Sequence, residues 1–305
     1  MGTIAPTPTA HTRAVTANSS KRAAFWGGDA GAVWAAIDLG VNDTLKNIRV
    51  VQTVILGTQL SGVMAVPDDQ PNLEKMSIAE GLTKPYIELS VEFSLSNGQA
   101  QDPTGFAAIK LAKFAAKALA LAEDLVFLQG GDAALPKTVR IESGHKSVGK
   151  GLLGLAESTI VVEDIRSGAD SGEGVLKAVM EGIAMLSSTQ SGPYYLVEDM
   201  NAFVATYGTT INGNPTNGVL TPALLGGSIS PSAAMPANTA LLVATGGDPT
   251  TIYVDTDPIT EPTHQDGPGR YFFRTFERVQ YVASDPRAFV KLDFSNVNRS
   301  KTKKR

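Results

Sequence analysis

The chain has 305 residues, of which 43% are hydrophobic, so it can bury one large core or two modest ones. It has no cysteine, which excludes disulfides, thiolate chemistry and cysteine metal sites, and its three histidines lack metal-ligand spacing. The net charge of −4 gives no overall nucleic-acid-binding signature, and no apolar run approaches the ~20 residues that span a membrane.

Residues 1–30 predict an extended N-terminal arm. They are rich in Ala, Thr, Ser and Pro and show little periodicity, so we expect them to become ordered only against partners. They contain no apolar stretch of the kind found in a signal peptide. The basic residues Arg13, Lys21 and Arg22 all precede the first acid, Asp29.

A helix is predicted over residues 29–47 and a strand-like segment over residues 48–62. The helix prediction depends on apolar residues at helical spacing: Val33, Trp34, Ile37, Val41 and Leu45. The following segment is rich in β-branched residues, which favour a strand.

Residues 63–98 predict a long two-stranded excursion. Pro67 and Pro71 surround an acidic turn. The returning strand then alternates polar residues with Ile87, Leu89, Val91 and Phe93. A hairpin this long is marginal alone, so we expect those apolar residues to lie on a neighbouring subunit.

A helix of about 27 residues, roughly 40 Å long, is predicted over residues 102–129. Asp102 suits the N-cap and Pro103 the first helical position. A buried stripe is predicted at Ala107, Leu111, Phe114, Ala118, Leu121, Leu125 and Leu128. Glu123 and Asp124 are expected on the helix surface, where adjacent carboxylates point about 100° apart and do not converge for acid–base work.

The second half predicts a mixed α/β region. Helices are expected over 172–188 and 200–208, with a polar loop over 208–219. Strands are expected over 159–164, 193–199, 223–232, 239–247 and 251–256, and a strand pair over 270–294 turns at Asp285–Pro286.

No catalytic pattern is evident. The chain lacks a G-x-S-x-G elbow, a P-loop and a dinucleotide fingerprint, and the glycine-rich segment 27–34 follows a polar arm rather than a strand. The sequence therefore predicts a non-enzymatic protein without cofactor or metal.

Five segments, in order, resemble the encapsulin family (linocin/bacteriocin-type shell proteins) and the related tailed-phage major capsid proteins with the Hong Kong 97 fold. They cover an opening helix and strand, a returning loop strand, an alanine-rich long helix ending in A-E-D, a G-P-Y-x-L-V segment, and the final strands: residues 33–52, 84–99, 107–130, 191–208 and 274–292.

The resemblance implies an α+β Hong Kong 97 phage capsid fold with an N-terminal arm, an extended β-hairpin loop, a long spine helix, and peripheral and axial domains. The implied divisions are an arm (1–30), a peripheral domain with the spine helix (31–62, 99–130 and 269–298), an extended loop (63–98), an axial domain (131–268) and a basic tail (299–305).

The implied function is that of a major capsid protein, which self-assembles as pentamers and hexamers into the icosahedral head enclosing the double-stranded DNA of a tailed phage. Scaffold, portal or decoration proteins are further expected partners, with no membrane contact and with assembly in the host bacterial cytoplasm into a virion. The alternative is an encapsulin shell around cargo enzymes. The long arm and basic tail depart from the encapsulin pattern and favour a virion. An unrelated enzyme would need a site that the sequence does not show.

Two further surfaces are implied by the resemblance. The polar loop resembles an axial loop that lines a pore or capsomer centre, with the residues Gly208, Asn212, Asn214 and Asn217. An ordinary surface loop would have the same composition. The tail residues are expected to contact DNA phosphates, the alternative being a solvated terminus: Arg299, Lys301, Lys303, Lys304 and Arg305.

Overall fold

The computed structural model describes residues 21–26, 31–72, 75–142, 148–162, 171–210, 212–267 and 269–294. Within these ranges the chain is α+β, with two five-stranded sheets and helices packed against them. The helices are α1 (Ala32–Ile48), α2 (Val51–Val54), α3 (Asn97–Gln101), α4 (Phe106–Gln129), α5 (Leu152–Leu155), α6 (Ser171–Ser187), α7 (Met200–Thr206) and α8 (Thr216–Ala223).

The strands alternate between the two sheets and a projecting hairpin. They are β1 (Gly57–Gln59), β2 (Ala65–Pro67), β3 (Gln70–Asn72), β4 (Ser77–Ala79), β5 (Thr83–Pro85), β6 (Ile87–Ser96), β7 (Val139–Ile141), β8 (Ser158–Val161), β9 (Ser191–Glu198), β10 (Ile229–Pro231), β11 (Thr239–Gly246), β12 (Thr250–Asp266), β13 (Arg270–Ala283) and β14 (Phe289–Asp293). The first sheet has the order β1-β12-β13-β6-β7 and the second β10-β9-β11-β14-β8.

The last three strands are divided between the two sheets. Strand β12, expected in the axial domain, pairs with β13 and β1 in the first sheet. Strand β14, expected in the peripheral domain, pairs instead with β8 and β11 in the second sheet. The polypeptide therefore changes sheets near residue 250 and again at the 3₁₀ turn Pro286–Ala288.

Helix α4, hereafter the spine helix, begins four residues later than predicted. Gly105 adopts a left-handed conformation at its N-cap, and a Cβ there would lie 2.1 Å from Val33 Cγ1. The carboxylate of Asp102 instead accepts hydrogen bonds from the Thr104 backbone and hydroxyl, at 2.9 and 2.8 Å. The turn that starts the helix is thus set by a glycine and not by an acidic cap.

The predicted buried stripe on the spine helix is rotated. Phe114 is 59% exposed. The buried face begins with alanines that allow the close packing of α1, namely Ala108, Ala112, Ala116 and Ala120. Helix α1 was predicted correctly, and the five apolar residues that define it are all buried against this face.

The strand predicted over residues 48–62 is mostly absent. Only β1 forms there, because residues 51–54 make a helical turn, and the backbone N–H groups of Val50 and Val51 at its start donate to Asp124 of the spine helix. The helices and strands predicted between residues 159 and 208 and over 270–294 are present within one to three residues of their expected ends.

Candidate shell-forming surfaces and a buried ionic cluster

The hairpin of residues 65–85 extends from the body as two short ladders, β2 with β5 and β3 with β4. The hairpin and the residue just before it leave a large apolar surface uncovered: Met64 (86% exposed), Met76 (86%), Ile78 (61%) and Leu82 (51%). A monomer offers these groups no partner among the described residues, so the hairpin has the character of a contact surface.

The root of the hairpin is firmly packed. Val66 and Tyr86 form a small apolar cluster with Val282. Lys84 lies over the Tyr281 ring, 4.8 Å from its centroid, and burial lowers the pKa of Lys84. The hairpin therefore leaves the body in a defined direction.

The four residues predicted to cover a neighbouring subunit are part of the chain's own core. Ile87 and Leu89 have 0% exposure and Val91 has 5%, while Phe93 stacks on Phe273 at 5.7 Å. Strand β6 lies between β13 and β7 in the first sheet, so the prediction for these residues is corrected, and the free hairpin ends at residue 85.

The last described residues of the predicted arm, 21–26, pack on the chain's own body. The Arg22 guanidinium donates to both carboxylate oxygens of Asp38, at 2.8 and 2.9 Å, and to the Thr260 carbonyl at 3.0 Å. It also lies 4.5 Å from the centre of the Trp34 ring. Arg22 therefore ties this segment to α1 and to β12. Residues 1–20 lie outside the described residues.

A row of ion pairs crosses the first sheet from this segment to the hairpin. Lys21 pairs with Glu261 at 3.2 Å, and Glu261 with Arg274 at 2.9 Å. Arg274 contacts Glu88 at 3.0 Å. The row continues through Arg278 to Asp255, at 2.8 Å, and Asp255 accepts the Gly62 backbone N–H at 3.0 Å, where the hairpin begins. The network therefore crosses the sheet from the packed residues 21–26 to the start of the hairpin.

The predicted axial loop is shorter than expected. A bridge between Thr209 and Pro215 closes it, and the Thr210 N–H donates to the Asn214 carbonyl at 2.8 Å. Asn212 and Asn214 are exposed at its tip. Gly208 lies at its base, and its carbonyl accepts the Thr216 N–H at 3.0 Å, whereas Asn217 is in the first turn of α8.

An apolar helix face adjoins this loop. Met200 and Val204 of α7, and Tyr207 directly after its last residue, recur at spacings of four and three residues and are 62%, 65% and 56% exposed. Sequence periodicity does not separate these residues from the buried ones, because α7 is apolar on both sides.

Three carboxylates and one guanidinium are buried together where the spine helix, β13 and the α1–α2 junction meet. Arg49 forms ion pairs with both Glu123 and Glu277, and each of these glutamates has 0% exposure. Gln52 donates its side-chain amide to Glu123. The expectation that Glu123 lies on the helix surface is therefore wrong.

Asp124 is also buried, and its carboxylate has a structural role. It accepts the backbone N–H groups of Val50 and Val51 at 3.0 and 2.9 Å, which caps α2 from a distant part of the chain. Burial raises the pKa of Asp124, and these two hydrogen bonds partly oppose the rise.

Burial raises the pKa of both Glu123 and Glu277, and the attraction of Arg49 offsets only part of this effect. Two carboxylates competing for one cation in a buried site favour retention of a shared proton. We define Arg49, Gln52, Glu123, Asp124 and Glu277 as the buried ionic cluster.

The tail residues 299–305 lie outside the described residues. Among the residues that are described, no three His, Asp or Glu side chains are arranged to hold a metal ion. No helix in the described ranges has the length and hydropathy to cross a bilayer.

The solved structures that match this chain include a virus-like particle, a phage capsid and an encapsulin complex. The virus-like particle from Pyrococcus furiosus matches with a TM-score of 0.66 at 17% identity, covering 86% of this chain and all (100%) of that one. The capsid of Myoviridae Phage XM1 matches at 0.58 and 11% identity, covering 80% of this chain and 90% of that one. The holo-SrpI encapsulin complex from Synechococcus elongatus PCC 7942 matches with a TM-score of 0.54 at 9% identity, covering 81% of this chain and 86% of that one.

The fold is therefore that of Hong Kong 97-type capsid proteins, and the protein is a shell-forming protein of the capsid and encapsulin type. The chain belongs to the Linocin_M18 family, described as encapsulating protein for peroxidase, whose match covers residues 30–266. No curated protein matches the sequence.

Proposed function

We propose that this protein is the major capsid protein of a tailed phage, whose subunits form pentamers and hexamers in a shell enclosing double-stranded DNA. The observation that carries the shell role is the projecting hairpin of residues 65–85 on a capsid fold. Its exposed apolar side chains need a surface that the monomer does not provide. The basic tail and the long arm favour a virion over other shells.

Self-association would use the two uncovered surfaces. The hairpin would lie across the next subunit and bury Met76 and Ile78, while the face of α7 and the tip of the axial loop would meet their copies around a symmetry axis. Each contact is small, and closure of the shell multiplies them. Scaffold, portal or decoration proteins would bind to this lattice during assembly in the host cytoplasm.

The tail residues 299–305 would face the interior and neutralise DNA phosphates. Removing them should shorten the packaged genome or weaken filled particles. Particles with unchanged DNA content and stability would show that the tail is dispensable for packaging.

A second candidate is an encapsulin-type shell that encloses cargo enzymes. The observation that favours it is the family match itself, because the family is described as encapsulating protein for peroxidase. This candidate uses the same hairpin and axial contacts and differs in what the shell contains.

Expression of the full chain alone, followed by cryo-electron microscopy and mass spectrometry of the particle contents, separates the candidates. Irregular shells, tubes or free capsomers that require a scaffold support the phage capsid. Uniform small shells with a co-purifying enzyme support the encapsulin-type shell. A soluble monomer under all conditions contradicts both.

A further inference from the structure

The exposed face of the spine helix carries lysines and aromatic residues instead of the mixed charges typical of a solvated helix. Phe106, Lys110, Lys113, Phe114 and Lys117 are all exposed. At about 100° per residue they fall within about 100° of the helix circumference. We define the three lysines of this face as the lysine row.

The lysine row is not neutralised by the chain itself. Among the described residues, none of the three lysines makes a hydrogen bond or an ion pair. The spine helix has no acidic residue before Glu123, which is buried. In a protein of net charge −4, this is a local concentration of unpaired positive charge.

The packing of α1 guides one of the lysines outward. The methylene chain of Lys113 crosses α1 at Gly40, where a Cβ would lie 2.5 Å from Lys113 Cε. Gly40 is buried in a helix interior, a position where glycine is unfavourable. The missing side chain lets Lys113 extend over the helix surface, so its exposure follows from the packing.

The shape of the face selects among anionic partners. A membrane-surface helix inserts its apolar side into the bilayer, but the apolar side of the spine helix is filled by α1 and the first sheet. Lys110 and Lys117 are separated by about 10 Å along the axis. Point charges at this spacing, repeated in every subunit of a shell, suit a uniform polyanion and give no sequence selectivity.

We propose that the lysine row binds the phosphate backbone of double-stranded DNA and that this face of the spine helix points into the shell. This inference rests on the proposed phage capsid function and adds a nucleic-acid surface within the folded body of the subunit, separate from the tail. It predicts that subunits lacking residues 299–305 still bind double-stranded DNA through the lysine row.

The test is a salt titration of DNA binding by unassembled full-length subunits, with a short duplex of mixed sequence as the probe. Substitution of the row, K110Q/K113Q/K117Q, should lower the slope of log affinity against log salt by about 2.7, from three contacts at about 0.9 each. When salt is raised from 50 to 200 mM, the affinity of the wild type for the duplex should therefore fall by a factor about 40 times larger than the affinity of the row variant. K110R/K113R/K117R should bind like the wild type.

The matched control is K137Q/K150Q/K177Q, which removes the same charge from exposed lysines elsewhere. An equal loss of slope in the control and in the row variant would overturn the inference, as would wild-type subunits that do not bind DNA. Row-dependent binding to phosphatidylserine vesicles without row-dependent DNA binding would assign the face to a membrane. If only the row variant fails to assemble, this face of the spine helix is a contact between subunits and the inference is wrong.

These outcomes are separable from failure of the proposed function. If wild-type particles contain DNA while the row variant binds the duplex normally, the capsid function stands and the inference fails. If wild-type particles contain an enzyme and no DNA, the proposed function and the inference both fail.

Discussion

Replacing Glu277 with Gln tests whether the buried ionic cluster holds a shared proton. The amide reproduces a protonated carboxyl, because its oxygen can still accept from Arg49 and its NH₂ group can donate to Glu123. The wild type must keep a proton in the pair to achieve the same arrangement. The variant should therefore remove a pH dependence without removing the contacts.

The sign and size of the pH dependence of the unfolding free energy follow from the pKa values of the two glutamates. Burial raises the pKa of Glu277 to about 8 and that of Glu123 to about 7, from an ordinary 4.5. The native state then binds a proton that the unfolded chain releases above pH 4.5, so stability falls as pH rises and levels off above pH 8. At about 1.4 kcal/mol per pKa unit, one such proton corresponds to roughly 3–5 kcal/mol.

The assay is denaturant unfolding of unassembled subunits between pH 5 and 9. The wild type should lose stability across this interval, and Glu277→Gln should lose less by about 3 kcal/mol or more. Burial also raises the pKa of Glu198, to about 7, so some dependence of the same sign should remain in the variant. Glu181→Gln, on the exposed Glu181, is the control and should keep the wild-type profile. Equal losses in Glu277→Gln and the wild type would refute the shared proton.

Three other predictions concern the buried cation, the hairpin and the end of the spine helix. Arg49→Met leaves the buried carboxylates without a cation and should cost about 3–5 kcal/mol in denaturant unfolding, more at pH 9 than at pH 5; a pH-independent loss would contradict this. Ile78→Asp should preserve the thermal unfolding of the subunit and abolish shell formation in light scattering, and intact shells would show that the hairpin is not a contact. Gly130→Ala should lower Tm strongly, because Gly130 has φ +80° and a Cβ would lie 2.3 Å from the Gly151 nitrogen. The control Gly154→Ala should be nearly neutral, since its nearest contact would be 3.6 Å away.

The sequence predicted those elements whose own periodicity was strong. Helix α1 and strand β6 were found because their buried residues repeat at helical or strand spacing over enough residues to exclude the other structure. The start of the spine helix was misplaced because Gly105 and Val33 decide it, and their contact joins segments that are far apart in sequence.

The candidate sites were harder to predict, for two physical reasons. The alternation in β6 identifies a buried face but not its partner, so Ile87 and Leu89 were assigned to a neighbouring subunit and instead face the chain's own core. The buried ionic cluster unites Arg49, Glu123 and Glu277 across long separations, and an adjacent pair of acids on a helix has the same local pattern whether it is solvated or buried.

The distribution of buried and exposed groups separates folding of the subunit from its assembly. The sheets bury their apolar faces against helices of the same chain, so the body needs no neighbour to complete its core. The hairpin and the adjoining Met64 leave four large side chains between 51% and 86% exposed. At about 1.5–3 kcal/mol for a fully buried side chain, covering them yields roughly 4–8 kcal/mol before ordering costs. Such a contact is reversible between two subunits and becomes durable only when a closed shell makes many of them together, which allows misplaced subunits to leave before closure.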